Sequence, residues 1–211
     1  MRVELDRVSK RFHLEWIIRH LSLSLDAQSR WAIAGPNGSG KSTLLKILSG
    51  HLSPTEGTIR FLLDGKPLER STVHAHISLA APYIELIEEF TLEETLRFHQ
   101  RFRSFLNGLT PAGVIDRLGF GQHRKKQLRF FSSGMKQRLK LALAICSSCD
   151  LLLLDEPTTN LDQEGAQWYR QLLDDYARDC TLVIASNVEE DFATCTEMLP
   201  MLDFKARERS R

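Results

Sequence analysis

The sequence predicts an α/β protein with a three-layer core, in which helices pack on a parallel sheet. A glycine-rich loop over 35–43 stands between a short apolar run, 31–34, and a stretch with helical spacing that ends at Gly50. Two further runs, Leu151–Leu154 and Leu182–Ala185, are wholly apolar, as buried parallel strands are. Strand–helix–strand units around such a loop are typical of this architecture.

The N-terminal segments are predicted to be strands. Residues 21–25 alternate between leucine and serine with the period of a strand, and residues 26–29 form a turn into the apolar run before the loop. A turn at Pro54–Gly57 leads to a strand over Thr58–Leu63, and His76–Ala80 is expected to be a further strand.

Helices are predicted for the central part and for the segment between the two apolar runs. Thr91-Leu-Glu-Glu94 is a capping box, and we expect its helix to run to about Phe105. A strong helix is predicted over Ser132–Cys146, and helical character continues over Gln163–Arg178. Between Gly108 and Gly121 a proline and several glycines interrupt the helix formers, so the boundaries there are undefined.

Length and composition favour one domain spanning residues 1–211, in which residues 83–148, without clear strands, form a helical subdomain. A net charge of +1 gives no reason to expect a nucleic-acid partner. No apolar run approaches the ~18 residues of a transmembrane helix, and the N-terminus is too charged for a signal peptide. We therefore expect a cytoplasmic protein that reaches a membrane only through a partner.

Four cysteines occur, at positions 146, 149, 180 and 195. Cys146 and Cys149 have the spacing of a metal or redox pair, but the sequence contains no second pair of that spacing. Reduced thiols near a core are the favoured interpretation.

The glycine-rich loop is the most specific feature of the chain. Its pattern of glycine, four residues and Gly-Lys-Ser lets backbone N–H groups surround the phosphates of a nucleoside triphosphate at a helix N-terminus. Lys41 supplies a positive charge, and the Ser42 hydroxyl is suited to ligate Mg²⁺. The predicted nucleotide-binding residues of the loop are Gly35, Pro36, Asn37, Gly38, Ser39, Gly40, Lys41, Ser42 and Thr43.

Two carboxylates follow the apolar run at 151–154. Asp155, at the end of the predicted strand, is placed to hold the Mg²⁺ shell through water. Glu156 is placed to orient or deprotonate an attacking water. Lys41 and Glu156 are therefore predicted to be catalytic.

With the loop and the acidic pair, two further stretches make the chain resemble an ATP-binding cassette (ABC) ATPase. They are Phe131-Ser-Ser-Gly-Met135, followed by Lys-Gln-Arg, and Pro157-Thr-Thr-Asn-Leu-Asp162. The resemblance covers residues 3–203, with the motifs in the family's order and spacing. It implies a P-loop NTPase core with an N-terminal antiparallel β subdomain and an inserted α-helical subdomain, and it implies ATP and Mg²⁺ as cofactors.

The resemblance also implies roles for residues outside the loop. Phe12 stands where the family has an aromatic ring that stacks on adenine, although an ordinary strand aromatic is the alternative. Ser132, Ser133 and Gly134 match the signature that binds the γ-phosphate held by an opposing subunit, and Asp162 matches a loop at the dimer interface. The implied assembly is a homodimer, or a heterodimer with a second ABC ATPase, around two ATP molecules.

Three positions depart from the family pattern. Pro82 stands where a Gln that ligates Mg²⁺ is usual, which leaves water or a nearby acid such as Glu85 as its replacement. Asn187 stands where a catalytic histidine contacts the γ-phosphate; its amide would keep a weaker contact, so we expect slower hydrolysis. Ser133 replaces a glycine and is tolerated if its φ is negative.

Within the family, the chain resembles the stand-alone ATPase subunits of bacterial transporters, exporters especially. Such a role requires separate transmembrane permease subunits and implies a location on the cytoplasmic face of the inner membrane. A membrane-subunit helix would dock beside Pro82 and Tyr83, with Ile84, Leu86 and Ile87 as candidates to line the groove. The alternatives are a soluble ABC ATPase, such as one for cluster assembly, and a hydrolytically feeble, nucleotide-gated interaction module.

Overall fold

The computed structural model of the chain describes residues 1–205, so residues 206–211 of the predicted domain lie outside the described part. The described part contains nine β-strands and five α-helices, joined by loops and short 3-10 turns. The strands are β1 (Arg2–Phe12), β2 (Glu15–Leu25), β3 (Arg30–Ala34), β4 (Glu56–Leu63), β5 (Lys66–Pro67), β6 (Ile77–Ala80), β7 (Leu151–Asp155), β8 (Thr181–Ser186) and β9 (Glu197–Pro200). The helices are α1 (Lys41–Leu48), α2 (Leu92–Gln100), α3 (Pro111–Leu118), α4 (Ser133–Ile145) and α5 (Gln163–Tyr176).

The first sheet is antiparallel, with the strand order β2-β1-β4-β5. Strands β1 and β2 pair from Val3 opposite Leu25 to Phe12 opposite Glu15, so the strand predicted at 21–25 begins earlier than its alternating part. The apolar side chains on one face, Val3 and Leu25 among them, are buried. The predicted N-terminal antiparallel β subdomain is confirmed.

The second sheet is parallel, with the strand order β6-β7-β8-β3-β9. Its strand β7 lies between two neighbours and is covered on both faces, which explains the run of four leucines before Asp155. Leu151 and Leu153 belong to the core shared with α1 and the antiparallel sheet, whereas Leu152 and Leu154 belong to the core shared with α4 and α5. The predicted three-layer α/β architecture is confirmed.

Strand β9 has no counterpart in the prediction. Only Leu199 of its four residues is buried, so the strand lacks the apolar run that identifies β7 and β8. It lies at the edge of the sheet beside β3, and it ends in Pro200, which an edge strand tolerates.

Helix α2 begins as the sequence predicts. The Thr91 hydroxyl accepts a hydrogen bond from the Glu94 N–H, and the Glu94 carboxylate accepts one from the Thr91 N–H. The prediction that this helix runs to Phe105 is wrong, because the helix ends at Gln100. Phe105 instead turns into the core, and its backbone pairs with that of Ser147.

Helices α3 and α4 complete the segment between β6 and β7. Helix α3 occupies the region whose boundaries the sequence left undefined; Thr110 caps it at one end and Gly119, with a φ of 70°, terminates it at the other. Helix α4 spans Ser133–Ile145, close to the prediction, and buries Leu139 and Ala142.

All four cysteines are free thiols. Burial raises the pKa of Cys146 to about 12 and that of Cys195 to about 11. These two thiols therefore stay protonated near neutral pH, which agrees with the interpretation as core cysteines.

The carboxyl ends of β7, β8 and β3 lie side by side, because these strands are consecutive in the sheet. The glycine-rich loop follows β3, Glu156 follows β7 and Asn187 follows β8. The carboxyl ends of these strands therefore bring together residues that are distant in the sequence, as is usual for ligand sites in open α/β sheets.

Candidate functional site

The glycine-rich loop leads from β3 directly into α1. Gly40, the residue before the helix, has a φ of 101°, which side-chain-bearing residues rarely adopt. A Cβ at this position would also lie 3.0 Å from the Ile17 side chain. The backbone can therefore enter the helix without a side chain in the way, and the helix N-terminus offers its N–H groups to an anion.

Lys41 is buried at the first position of α1, with 5% of its surface exposed. Its ammonium donates a hydrogen bond of 2.7 Å to the Gly35 carbonyl and forms an ion pair of 3.2 Å with Glu156 Oε1. A buried charge needs such partners. A cleft of about 410 Å³ opens here, lined by Ile17, by loop residues from Asn37 to Thr43 and by Glu156.

Asp155 ends strand β7 and is 2% exposed. Among the described residues, neither of its carboxylate oxygens has a hydrogen-bond partner. Burial raises the pKa of Asp155, and the Ser42 hydroxyl beside it opposes this shift. A buried carboxylate with two unpartnered oxygens next to a hydroxyl fits a hard divalent cation such as Mg²⁺.

Glu156 has a φ of 47°, in the left-handed region that costs a side-chain-bearing residue roughly 1–2 kcal/mol. Its N–H donates a hydrogen bond of 2.7 Å to the Ala185 carbonyl of β8, which fixes the backbone at this point. Lys41 holds Oε1 of its carboxylate, and Ser186 Oγ lies 3.3 Å from Oε2. The structure thus places Glu156 at the cleft in a strained, well-anchored conformation.

Ser186 and Asp191 are site residues that the sequence did not reveal. Ser186, the last residue of β8, is fully buried, and its Oγ lies 2.6 Å from Asp191 Oδ2. Asp191 is buried although Glu189 and Glu190 beside it are exposed. Nothing in a run of three acids marks the third as different, so only the tertiary structure identifies it.

Two predicted residues, Phe12 and Asn187, are not among the residues that line the cleft. Asn187 is exposed immediately after β8. Phe12 ends β1 with 43% of its surface exposed, and its ring lies 5.1 Å from Lys10 Nζ. Ile17, which the sequence did not suggest, lines the cleft, whereas Phe12 does not.

The signature residues line a second cavity, of about 300 Å³, together with Asp162. Ser132 caps α4 by accepting the Met135 N–H at 3.2 Å. Ser133 opens the helix and is not among the side-chain-bearing residues with positive φ, so the condition for tolerating it is met. A Cβ on Gly134 would lie 2.9 Å from the Asn160 carbonyl.

The segment after β6 shows what surrounds Pro82. Pro82 is exposed, and its carbonyl accepts a hydrogen bond of 3.2 Å from Lys140. The Tyr83 ring lies 4.1 Å from the Lys46 ammonium on α1. Burial, with the charge of Asp155, raises the pKa of Tyr83 to about 12. The charge of Asp155 therefore acts on Tyr83.

The residues expected to line a docking groove divide into two groups. Ile84 and Leu86 are half-buried and line a small cavity of about 130 Å³ with His99 and Lys140. Ile87 is 44% exposed. Among residues 1–205, no helix has the length and apolar character needed to cross a bilayer.

A family model described as ABC transporter matches residues 18–159. The chain is 32% identical over 188 residues to the uncharacterized ABC transporter ATP-binding protein YcbN of Bacillus subtilis, covering 88% of this chain and 61% of YcbN. It is 30% identical over 192 residues to the lantibiotic transport ATP-binding protein SrtF of Streptococcus pyogenes, covering 88% and 80%.

The fold matches that of solved cassettes. A dimeric ATP-binding cassette in a post-hydrolysis state, bound to ADP and phosphate, superposes with a TM-score of 0.80 at 20% identity, covering 99% of this chain and all of the other. The glycine-rich loop, the acidic pair after β7 and the matches to known proteins agree, and the chain belongs to the ABC transporter family.

Proposed function

We propose that the chain hydrolyses Mg-ATP as the stand-alone nucleotide-binding subunit of an exporter-type ABC transporter. The observation that carries the proposal is the meeting of Lys41, Asp155 and Glu156 beside the phosphate loop, at one edge of the parallel sheet. The description of SrtF as a lantibiotic transport protein supports the export assignment.

The cleft accounts for nucleotide binding. The loop from Gly35 to Thr43 would surround the phosphates, with Lys41 neutralising part of their charge. Asp155 and Ser42 would hold Mg²⁺, which supplies further charge neutralisation when bound. Phe12, exposed at the end of β1, is available to stack on adenine.

Glu156 acts as the general base. It accepts a proton from a water whose oxygen forms a bond to the γ-phosphorus, while the bond from that phosphorus to the bridging oxygen of ADP breaks. Lys41 stabilises the charge on the phosphate oxygens. Asn187 donates an amide hydrogen bond to the γ-phosphate.

Two chains would complete each other's sites. The cavity containing Ser132, Ser133 and Gly134 is separate from the cleft at Lys41, so each chain carries two half-sites. A head-to-tail dimer, with the same chain or a second ABC ATPase, brings each signature cavity onto the opposing phosphate loop. The N-terminus of α4, capped by Ser132, then faces the γ-phosphate.

Separate transmembrane subunits would receive the force of dimer closure. The helical subdomain, residues 83–148, presents Ile87 and Phe102 to solvent, 44% and 76% exposed. Burial of such side chains against an apolar helix is favourable. Bound to such subunits, the chain would act on the cytoplasmic face of the membrane. We propose no nucleic-acid partner, because the net charge is only +1.

The oligomeric state of the Glu156→Gln variant tests this function. The substitution keeps the shape of the side chain but removes the base, so ATP stays intact and holds two chains together. We expect a dimer by light scattering with Mg-ATP and a monomer with Mg-ADP. If the variant stayed monomeric with Mg-ATP as well as with Mg-ADP, under conditions where ATP binds, the proposed mechanism would be contradicted.

A further inference from the structure

Ser186 connects two acids at the end of strand β8. Its Oγ lies 2.6 Å from Asp191 Oδ2 and 3.3 Å from Glu156 Oε2, and it accepts a hydrogen bond of 3.0 Å from the Val188 N–H. Ser186 is 0% exposed and Asp191 is 4% exposed, so water does not compete for these contacts.

The hydroxyl has one proton and two carboxyl neighbours. If Asp191 were ionised, the serine hydroxyl would donate its proton to Asp191, which is the nearer of the two acids. Glu156 Oε2 would then face Ser186 Oγ without a proton between them. Asp191 Oδ1 has no partner among the described residues, which makes a buried negative charge there costly. Burial and the charges of Glu156 and Glu190 raise the pKa of Asp191, although the hydroxyls of Ser186 and Thr158 oppose the shift.

A protonated Asp191 gives each of the three contacts of Ser186 Oγ one donor and one acceptor. Its O–H donates to Ser186 Oγ, which already accepts from Val188, and the serine proton then points to Glu156 Oε2. The two oxygens of Glu156 would be held separately, Oε1 by Lys41 and Oε2 by Ser186. Triphosphate in the loop competes with Glu156 for Lys41, which leaves Ser186 as the side chain that holds the carboxylate.

We propose that Ser186, supported by Asp191, is a positioning residue that orients the Glu156 carboxylate toward the attacking water. The inference rests on the proposed role of Glu156 as general base. The inference predicts that substitutions of Ser186 and Asp191 change the rate of the chemical step and leave nucleotide affinity unchanged.

Steady-state hydrolysis by Ser186→Ala, Ser186→Thr and Asp191→Ala tests the inference. Ser186→Ala should lower kcat about tenfold, the loss expected for one hydrogen bond to a charged group, with KM changed less than about twofold. Ser186→Thr keeps the hydroxyl and should restore most of kcat. The double variant Ser186→Ala/Asp191→Ala should lose no more than Ser186→Ala, because both residues act through one contact.

Ser78→Ala is the matched control, because Ser78 is also a buried strand serine in the parallel sheet, bonded to the Ala144 carbonyl at 2.9 Å. Equal losses of kcat in Ser78→Ala and Ser186→Ala, or additive losses in the double variant, would overturn the inference. Glu156→Gln is assayed in parallel. If it abolishes turnover while Ser186→Ala keeps wild-type kcat, the positioning role fails alone; if Glu156→Gln is fully active, the assignment of the base fails instead.

Discussion

The ammonium of Lys41 and the carboxylate of Glu156 lie 3.2 Å apart, and both residues line the nucleotide cleft. One residue follows strand β3 and the other follows β7, so the ion pair joins the phosphate loop to the acidic pair across the intervening strand β8. Both side chains are largely buried, which strengthens the interaction relative to one at the surface. This ion pair therefore links the residue proposed to bind phosphate directly to the proposed base.

Replacement of Lys41 by alanine should weaken ATP binding. A hydrogen bond to a charged group contributes about 1.5–3 kcal/mol, which corresponds to a loss of affinity of about 10- to 100-fold. Isothermal titration calorimetry with a slowly hydrolysed ATP analogue measures the affinity. Lys66→Ala, which removes the same charge from an exposed site on β5, is the control and should bind as wild type does. Equal affinity for all three chains would contradict the assignment of Lys41.

Asp155→Asn should stabilise the chain when nucleotide and Mg²⁺ are absent, while abolishing Mg²⁺-dependent turnover. The pKa of Asp155 is raised in the folded state, mainly by burial, so the folded chain binds the proton more tightly than the unfolded chain does. At pH values above that folded pKa, the charged carboxylate therefore destabilises the fold. Removing the charge should raise Tm at pH 7.5, by about 2–4 °C for each kcal/mol gained.

Asp64→Asn is the control for this comparison. Asp64 is exposed in a turn with a φ of 51°, which asparagine also adopts readily. We expect the Tm of Asp64→Asn to equal that of the wild-type chain. If the Tm of Asp155→Asn were lower than that of the wild-type chain, the carboxylate of Asp155 would not be destabilising.

Gly134→Ala should prevent the ATP-dependent dimer. A Cβ there would lie 2.9 Å from the Asn160 carbonyl, so either the signature helix or the loop before Asp162 must move. Gly121→Ala is a matched control in the same part of the chain, since a Cβ at Gly121 would meet nothing within 4 Å. Both substitutions are made in the Glu156→Gln background and examined by light scattering. Loss of the dimer in both, or in neither, would contradict the role given to Gly134.

The pH dependence of stability should reflect His99. Its ring is half-buried and hydrogen-bonds to Ser147 Oγ at 2.7 Å, and burial, with the charge of Arg103, lowers its pKa from 6.5 to about 4. Below pH 6.5 the unfolded chain takes up a proton that the folded chain does not, so stability is present above pH 6.5 and is lost as the pH falls toward 4.

We expect the wild-type chain to lose about 1–2 kcal/mol more than His99→Gln between pH 7 and pH 5, allowing for solvent screening. Urea denaturation at the two pH values measures the difference. His74→Gln, at an exposed histidine, should lose as much as wild type. Identical losses for all three chains would show that His99 does not titrate differently in the two states.

The sequence was most informative where function or complete burial restricts residue choice. The loop around Lys41 and the leucines of β7 could be identified directly, because phosphate binding requires glycine and lysine and because a strand covered on both faces must be apolar. The contacts among Ser186, Asp191 and Glu156 could not be found this way. They depend on β7 and β8 being neighbours in the sheet, which local patterns do not encode.

Errors at the ends of elements have a related cause. Residues 101–105 continue an acceptable helical sequence after α2, yet the helix stops at Gln100 because Phe105 packs in the core and pairs with Ser147. Strand β9 buries Leu199 alone of its four residues, so β3 supplies the pairing that its own sequence does not indicate. In both places tertiary contacts override the local preference.

The rate of Mg²⁺-dependent ATP hydrolysis by the purified chain and by Glu156→Gln is the most direct test of the proposed catalytic site. We expect turnover by the wild-type chain despite Pro82 and Asn187, and its loss in Glu156→Gln with ATP affinity retained. Equal turnover in the two proteins would show that Glu156 is not the general base.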